Sequence, residues 1–381
     1  MKKLSILPLA LILMYAISFP VFAADETSYE RQMLLNSIDE NEIIQALPKQ
    51  VQDELKALDL DSIDPQRLMN LNPQDIFQYT IKLLKEQLAK PLKAFTRVSG
   101  AMILLAFLKG LHTTADQNKG VVQMLEVVSA LVICSSFVRP VIGCIASSSS
   151  AIADCSDFIL SFLPVYSGVL IACGQAATAS TTHVFLFWMC QITSRFASET
   201  LVPLIGFYLA LCLVGSILQR KDVMGIASAI KSVLGWTLGL SMTLFVGTLS
   251  LSSIVSAVGD NLGTRTARFL LGSFVPVVGG ALSEAFTTAQ SCLQLIKSSI
   301  GVYGVIASGI IFLPTVIQMI LWYFSVNLSS VAAQLFGLDG IVSLLKSIGS
   351  ALGILLALLL SFMLLLMVSV TLILLVGQVV H

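Results

Sequence analysis

Charged residues are scarce in this 381-residue sequence: Asp, Glu, Lys and Arg make up 12% of it, against 56% hydrophobic residues. A soluble domain carries roughly a quarter charged residues, so the composition points to a membrane protein. Histidine is scarcer still. His112 falls in an expected loop, His183 opens an apolar stretch and His381 is terminal, and no metal cluster or hydrolase triad can be built on that spacing. The phosphate-cradling pattern G-x-x-x-x-G-K-[ST] is missing, which excludes ATP hydrolysis by this chain as a drive for transport. Basic residues form no cluster with interleaved aromatics, leaving nucleic-acid binding without support. The seven cysteines make no C-x-x-C pair and read as small buried hydrophobes. No catalytic residue, cofactor or metal is expected, and the chain is read as a non-enzyme.

The charges that do occur are unevenly spread. Residues 25–97 hold 13 of the 22 acidic and 9 of the 22 basic residues, so a small polar segment precedes a long apolar one. Ahead of it stand Lys2 and Lys3, an apolar run from Leu4 to Ile17, Pro20, and small residues at Val21 and Ala23. That is the pattern of a secretory signal peptide cut between Ala23 and Ala24. An uncleaved anchor helix is the alternative, and either one places residues 24–97 outside the cytoplasm. The expected organisation is a signal peptide (1–23), an extracytoplasmic helical segment (24–97) and a multi-span membrane domain (98–381).

Within the polar segment, Asp64-Pro65 and Asn72-Pro73 each set a capping side chain before a proline at the first helical position. In the second helix Ile76, Phe77, Ile81, Leu84 and Leu88 fall on one stripe, with Lys82, Lys85, Glu86, Lys90 and Lys93 on other faces. Such a helix suits the headgroup layer, a partner, or packing within a small helical domain. Pro91 is expected to bend the chain before the first apolar span.

A hydrocarbon core of roughly 30 Å needs about 20 helical residues. That ruler marks eight candidates: Val98 to Leu111, Val121 to Val138, Phe158 to Cys173, His183 to Ile192, Leu201 to Leu218, Val233 to Val258, Val302 to Phe324 and Ile348 to Val376. The fold class is all-α and polytopic, with six to eight spans, the first and fourth being the weakest. Gly235-x-x-x-Gly239 and Gly349-x-x-x-Gly353 are candidate helix-packing positions, because glycine lets two backbones approach closely in lipid. Pro314 frees the carbonyl of Ile310, and Gln318, one turn later, is an amide within an apolar span.

Residues 272–286, "GSFVPVVGGALSEAF", are too apolar for a surface loop, yet Gly272, Pro276, Gly279 and Gly280 disfavour a helix. Within residues 261–300, two short apolar pieces hinged at Gly279-Gly280, with Glu284 close behind, fit a re-entrant hairpin or paired interfacial helices. Re-entry would point to a pathway, and interfacial helices to a docking surface.

This run, together with "SSIGVYGVIA" after it and "NPQDIFQYTIKLLKEQLAKPLKAF" before the first span, resembles the stage III sporulation protein AE family. The resemblance implies a multi-pass protein of the mother-cell membrane that surrounds the forespore. It implies a subunit of a channel-like, secretion-system-related complex, joined to the other membrane proteins of its operon and to a forespore membrane partner. It transfers no catalytic residue. The lipid bilayer is the other partner, a homo-oligomer is compatible with this reading, and a self-sufficient transporter or permease for small solutes is the alternative function.

Overall fold

A computed structural model describes Ile44, residues 47–57, Leu60 and residues 73–114, 119–173, 175–217, 221–274 and 279–376. The helices are α1 (Lys49–Ala57), α2 (Pro73–Thr114), α3 (Lys119–Ala172), α4 (Ala176–Arg195), a π-helical turn (Phe196–Leu201), α5 (Val202–Ile217), α6 (Lys221–Phe274), α7 (Gly279–Leu335) and α8 (Asp339–Val376). No strand occurs among the described residues. Pro73 opens α2, where its missing N–H leaves no helical bond unmade. Asp64-Pro65, Ala23 and Ala24 lie outside the described residues.

Six stretches among the described residues are long and apolar enough to cross a membrane: Gln74–Gly110, Val127–Ala172, Ala176–Ser216, Asp222–Leu251, Lys297–Leu335 and Asp339–Thr371. The protein is a multi-pass, all-helical membrane protein. Eight hydropathy segments become six because polar stretches that look like loops continue as helix. The second and third segments are both part of α3, since the serines between and within them satisfy themselves on the helix backbone. Ser148 Oγ donates to the Cys144 carbonyl at 2.6 Å and Ser161 Oγ to the Asp157 carbonyl at 3.2 Å. The fourth and fifth are joined through the π-helical turn, where the Val202 N–H reaches back five residues to the Ala197 carbonyl. This wider turn stands just ahead of Pro203, whose ring would press on the carbonyl four residues earlier in an α-turn.

α3 and α4 form an antiparallel hairpin. Ser167 Oγ meets His183 Nδ1 at 3.2 Å, and Ser156 Oγ donates to the Cys190 carbonyl at 3.5 Å, so the two helices keep step along their length. The centre of the bundle is the α7–α8 hairpin, 67% and 61% buried over its most apolar windows against 17% for α6. Its turn is a Schellman cap: Gly337 adopts φ 64°, its N–H donates to the Gln334 carbonyl, and the Leu338 N–H donates to the Ala333 carbonyl. Leu338 and Ala333 are both buried there, the apolar contact that accompanies the motif.

α2 departs from expectation at two points. Pro91 does not bend the chain out of the helix; it lies buried inside α2, and α7 holds it there through Ser325 Oγ, which donates to the Pro91 carbonyl at 2.9 Å. The helix therefore runs unbroken across residue 97 and stands along α7. Its packing face is also different from the expected stripe. Leu83 packs on Ile317 and Leu321, followed by Ala94, Val98, Met102 and Leu105, whereas Phe77, Leu84 and Leu88 are exposed. α2 has two apolar faces, and the bundle uses the one that carries Leu83, Ala94, Val98, Met102 and Leu105.

Candidate functional site

The foot of the bundle, where α3 ends and the membrane-spanning part of α7 begins, holds a buried ammonium. Lys297 is 3% exposed, and its Nζ donates to Gln175 Oε1 at 2.9 Å. Gln175, itself 9% exposed, follows the end of α3, and its N–H donates to the Leu170 carbonyl at 2.9 Å. The Cys173 N–H donates to the Val169 carbonyl at 2.9 Å. The last carbonyls of a helix carry its negative dipole end, so a cation beside them is favoured. Thr178 and Ser299, three and two residues along the chain from Gln175 and Lys297, are buried as well.

The same lysine acts on its sulfur neighbour. Burial pushes the Cys173 thiol up to about 11, and the Lys297 ammonium pulls the other way. One turn and more along, aromatic rings fix the approach of α3 to α7. Phe158 lies 5.7 Å from Phe162, and Phe162 stacks on Tyr166 with centroids 5.4 Å apart. Gly304 of α7 faces this ladder, and a Cβ there would stand 2.8 Å from the Phe162 ring. Chemically the arrangement binds and positions. It clamps α7 to the end of α3 through an amide and a helix dipole.

Lys297 was not among the sequence candidates. The signal available was a lone cation at the head of an apolar run, "LIKSSIGVYG", which in lipid must find a partner. Its partner is 122 residues away, so spacing alone does not reveal it.

The sequence candidates are placed as follows. Gly272 is within the last turn of α6, and Gly279 and Gly280 open α7, with Glu284 in its second turn. Pro276 lies outside the described residues, as do the side chains of residues 252–296. Pro314 and Gln318 are half-buried on the same uninterrupted α7. Glu284 and Gln318 are thus separated by about 50 Å of helix and do not meet in one site within the chain. Gly349 and Gly353 face α7: a Cβ would lie 3.6 Å from Val326 and Asn327 at the first and 3.5 Å from Tyr323 at the second. Gly235 and Gly239 have no heavy atom near the place of a Cβ and sit on the outer side of α6, beside Trp236, which is 70% exposed.

Residues 64–377 match the protein family described as Stage III sporulation protein AE (spore_III_AE). The stage III sporulation protein AE of Bacillus subtilis (strain 168) is 27% identical over 158 residues, covering 42% of this chain and 40% of that protein. No solved structure matches the chain. The family match takes in five-sixths of the sequence and every helix from α2 to α8, and on that ground the chain belongs to the stage III sporulation protein AE family, a multi-pass membrane protein with a role in sporulation.

Proposed function

We propose that this protein is a membrane subunit of a channel-like complex between mother cell and forespore, and that it works by assembly and not by bond chemistry. Its place is the mother-cell membrane around the forespore, with the N-terminal segment outside the cytoplasm. Its partners are the other membrane proteins of the same operon and a protein of the forespore membrane.

The observation that carries this reading is the length and mixed chemistry of the exposed side of α3. Met124, Leu131, Val132 and Ile142 are exposed along its first part and Ile171 near its end, and Arg139, Ser150 and Asp157 are exposed between Leu131 and Ile171. The helix between Met124 and Ile171 measures about 70 Å, and the hydrocarbon core about 30 Å. Even a tilt of about 40° leaves more than 50 Å along the normal. Lipid covers one part of that face, and other protein covers the rest. The separation of Glu284 from Gln318 supports the same reading over a self-sufficient permease, which needs such groups to converge at one midplane site.

The test is Leu131→Asp, compared with Gly279-Gly280→Ala-Ala, in the sporulating cell. The expected outcome is normal insertion, loss of co-purification with the other membrane proteins of the operon, and fewer spores. Assembly and spore yield unchanged in both variants would sink the proposal; intact assembly with lost solute flux would favour the permease.

A further inference from the structure

Lys231 is an exposed ammonium within an apolar helix. It projects from α6, and its Nζ donates to Ser350 Oγ of α8 at 2.5 Å. The Ser350 hydroxyl also bonds Tyr208, buried on α5, so three helices fix the spot. Lys346 is exposed one turn before Ser350 on α8. The nearest carboxylates on these two helices, Asp222 and Asp339, lie about 14 Å from Lys231 and about 10 Å from Lys346 along the axis, and α5 carries none.

The same contact sets two apolar runs side by side. Ser216 of α5 meets Ser347 at 3.5 Å and Gly215 faces Met224, so α5 runs against both α6 and α8, and those two descend together. No Asp, Glu, Lys or Arg occurs in residues 232–259 of α6 or 347–376 of α8, and each run exceeds the ~20 residues that the hydrocarbon core needs. Both begin at the height of the Lys231–Ser350 contact, which places the two ammonium groups at headgroup level. Trp236, 70% exposed, follows five residues further in, where tryptophan collects.

We propose that Lys231, Lys346 and Ser350 hold the phosphate of an anionic phospholipid, with an acyl chain laid between α6 and α8. An ammonium has three N–H donors, and Ser350 accepts one from Lys231, which leaves two for phosphate oxygens. Two lysines with no carboxylate beside them select a headgroup of net negative charge, since a zwitterionic headgroup brings a cation that they repel. Below them the cleft is lined by small residues, Gly235 and Gly239 of α6, where a Cβ would meet nothing, and exposed Ala357 of α8.

The full-length chain in vesicles of phosphatidylglycerol and phosphatidylcholine in equal parts tests this, with a photoreactive acyl chain on one lipid or the other. Adducts on residues 235–246 and 353–361 are mapped by mass spectrometry, and adducts near exposed Val184 and Trp188 of α4 serve as the reference for ordinary lipid contact. The expected result is a preference of about threefold or more for phosphatidylglycerol in the cleft and none at the reference. The preference disappears with Lys231→Gln and Lys346→Gln together and survives Lys231→Arg. Equal labelling by the two lipids in the parent chain would overturn the proposal. So would a preference that persists in the double variant, one erased by added inorganic phosphate, which marks a site for a free anion, or a cleft that neither lipid labels, which marks a protein neighbour.

Discussion

At Gly304 a single hydrogen atom decides how closely two membrane helices meet. Gly304→Ala places a methyl group 2.8 Å from the Phe162 ring, which is itself wedged between Phe158 and Tyr166 and has nowhere to turn. Overpacking of this kind costs about 1–3 kcal/mol, and thermal denaturation in detergent is expected to show a lower Tm for Gly304→Ala but not for Gly168→Ala, where a Cβ meets nothing. Gly337 is constrained by its backbone and not by a neighbour: its side of the chain is open, but φ 64° suits glycine, so Gly337→Ala is expected to lose about 1–2 kcal/mol. At the foot of the bundle the Cys173 thiol, pushed up to about 11, is expected to resist maleimide at pH 7 and to react about tenfold faster for each unit that the pH is raised towards that value. Removing the ammonium with Lys297→Met raises the thiol further, so alkylation at pH 9 should slow relative to the parent; an unchanged rate would separate Cys173 from Lys297.

Among whole elements, α2 is the one that sequence reading handled least evenly. Its start was legible in Pro73, because a proline at the first helical position is a local signal; Asn72 before it lies outside the described residues. Its packing face was not, since periodicity finds an apolar stripe without saying which of two stripes meets the bundle. Pro91 was unreadable for a related reason. Whether a helix continues through a proline depends on what holds it in place, and Ser325, whose hydroxyl bonds the Pro91 carbonyl, lies 234 residues later. Ser325→Ala removes that hydrogen bond and is expected to cost about 1 kcal/mol, whereas Ser135→Ala, whose hydroxyl only folds back on the Val132 carbonyl of its own helix, should be near neutral. The merging of four hydropathy segments into α3 and the α4–α5 helix follows the same physics. Hydroxyls that bond their own backbone let a helix pass through residues that composition marks as loop.

For the whole molecule, the fold class was legible from composition because few charges and long apolar runs leave helices as the economical way to satisfy the backbone in lipid. The buried clamp at Lys297 and the long exposed face of α3 were not, as both depend on which helices stand side by side. Deleting residues 336–381 removes α8 and is expected to leave α3, α5 and α6, which pack on it, without that support, and limited proteolysis should show cleavage within them that the full chain resists. The reason lies in the α7–α8 hairpin around which the others pack. It is also made after α2 to α6. About 260 residues separate the end of α2 from the end of α8, which at ~5–20 residues per second is roughly 15–50 s of synthesis. α2 waits through that whole interval and α6, which ends about 100 residues before α8, through roughly 5–20 s of it, displaying to every passing helix the faces meant for α7 and α8. The cell therefore has a window in which this protein is open to other subunits, and the Gly337 turn is where that window closes.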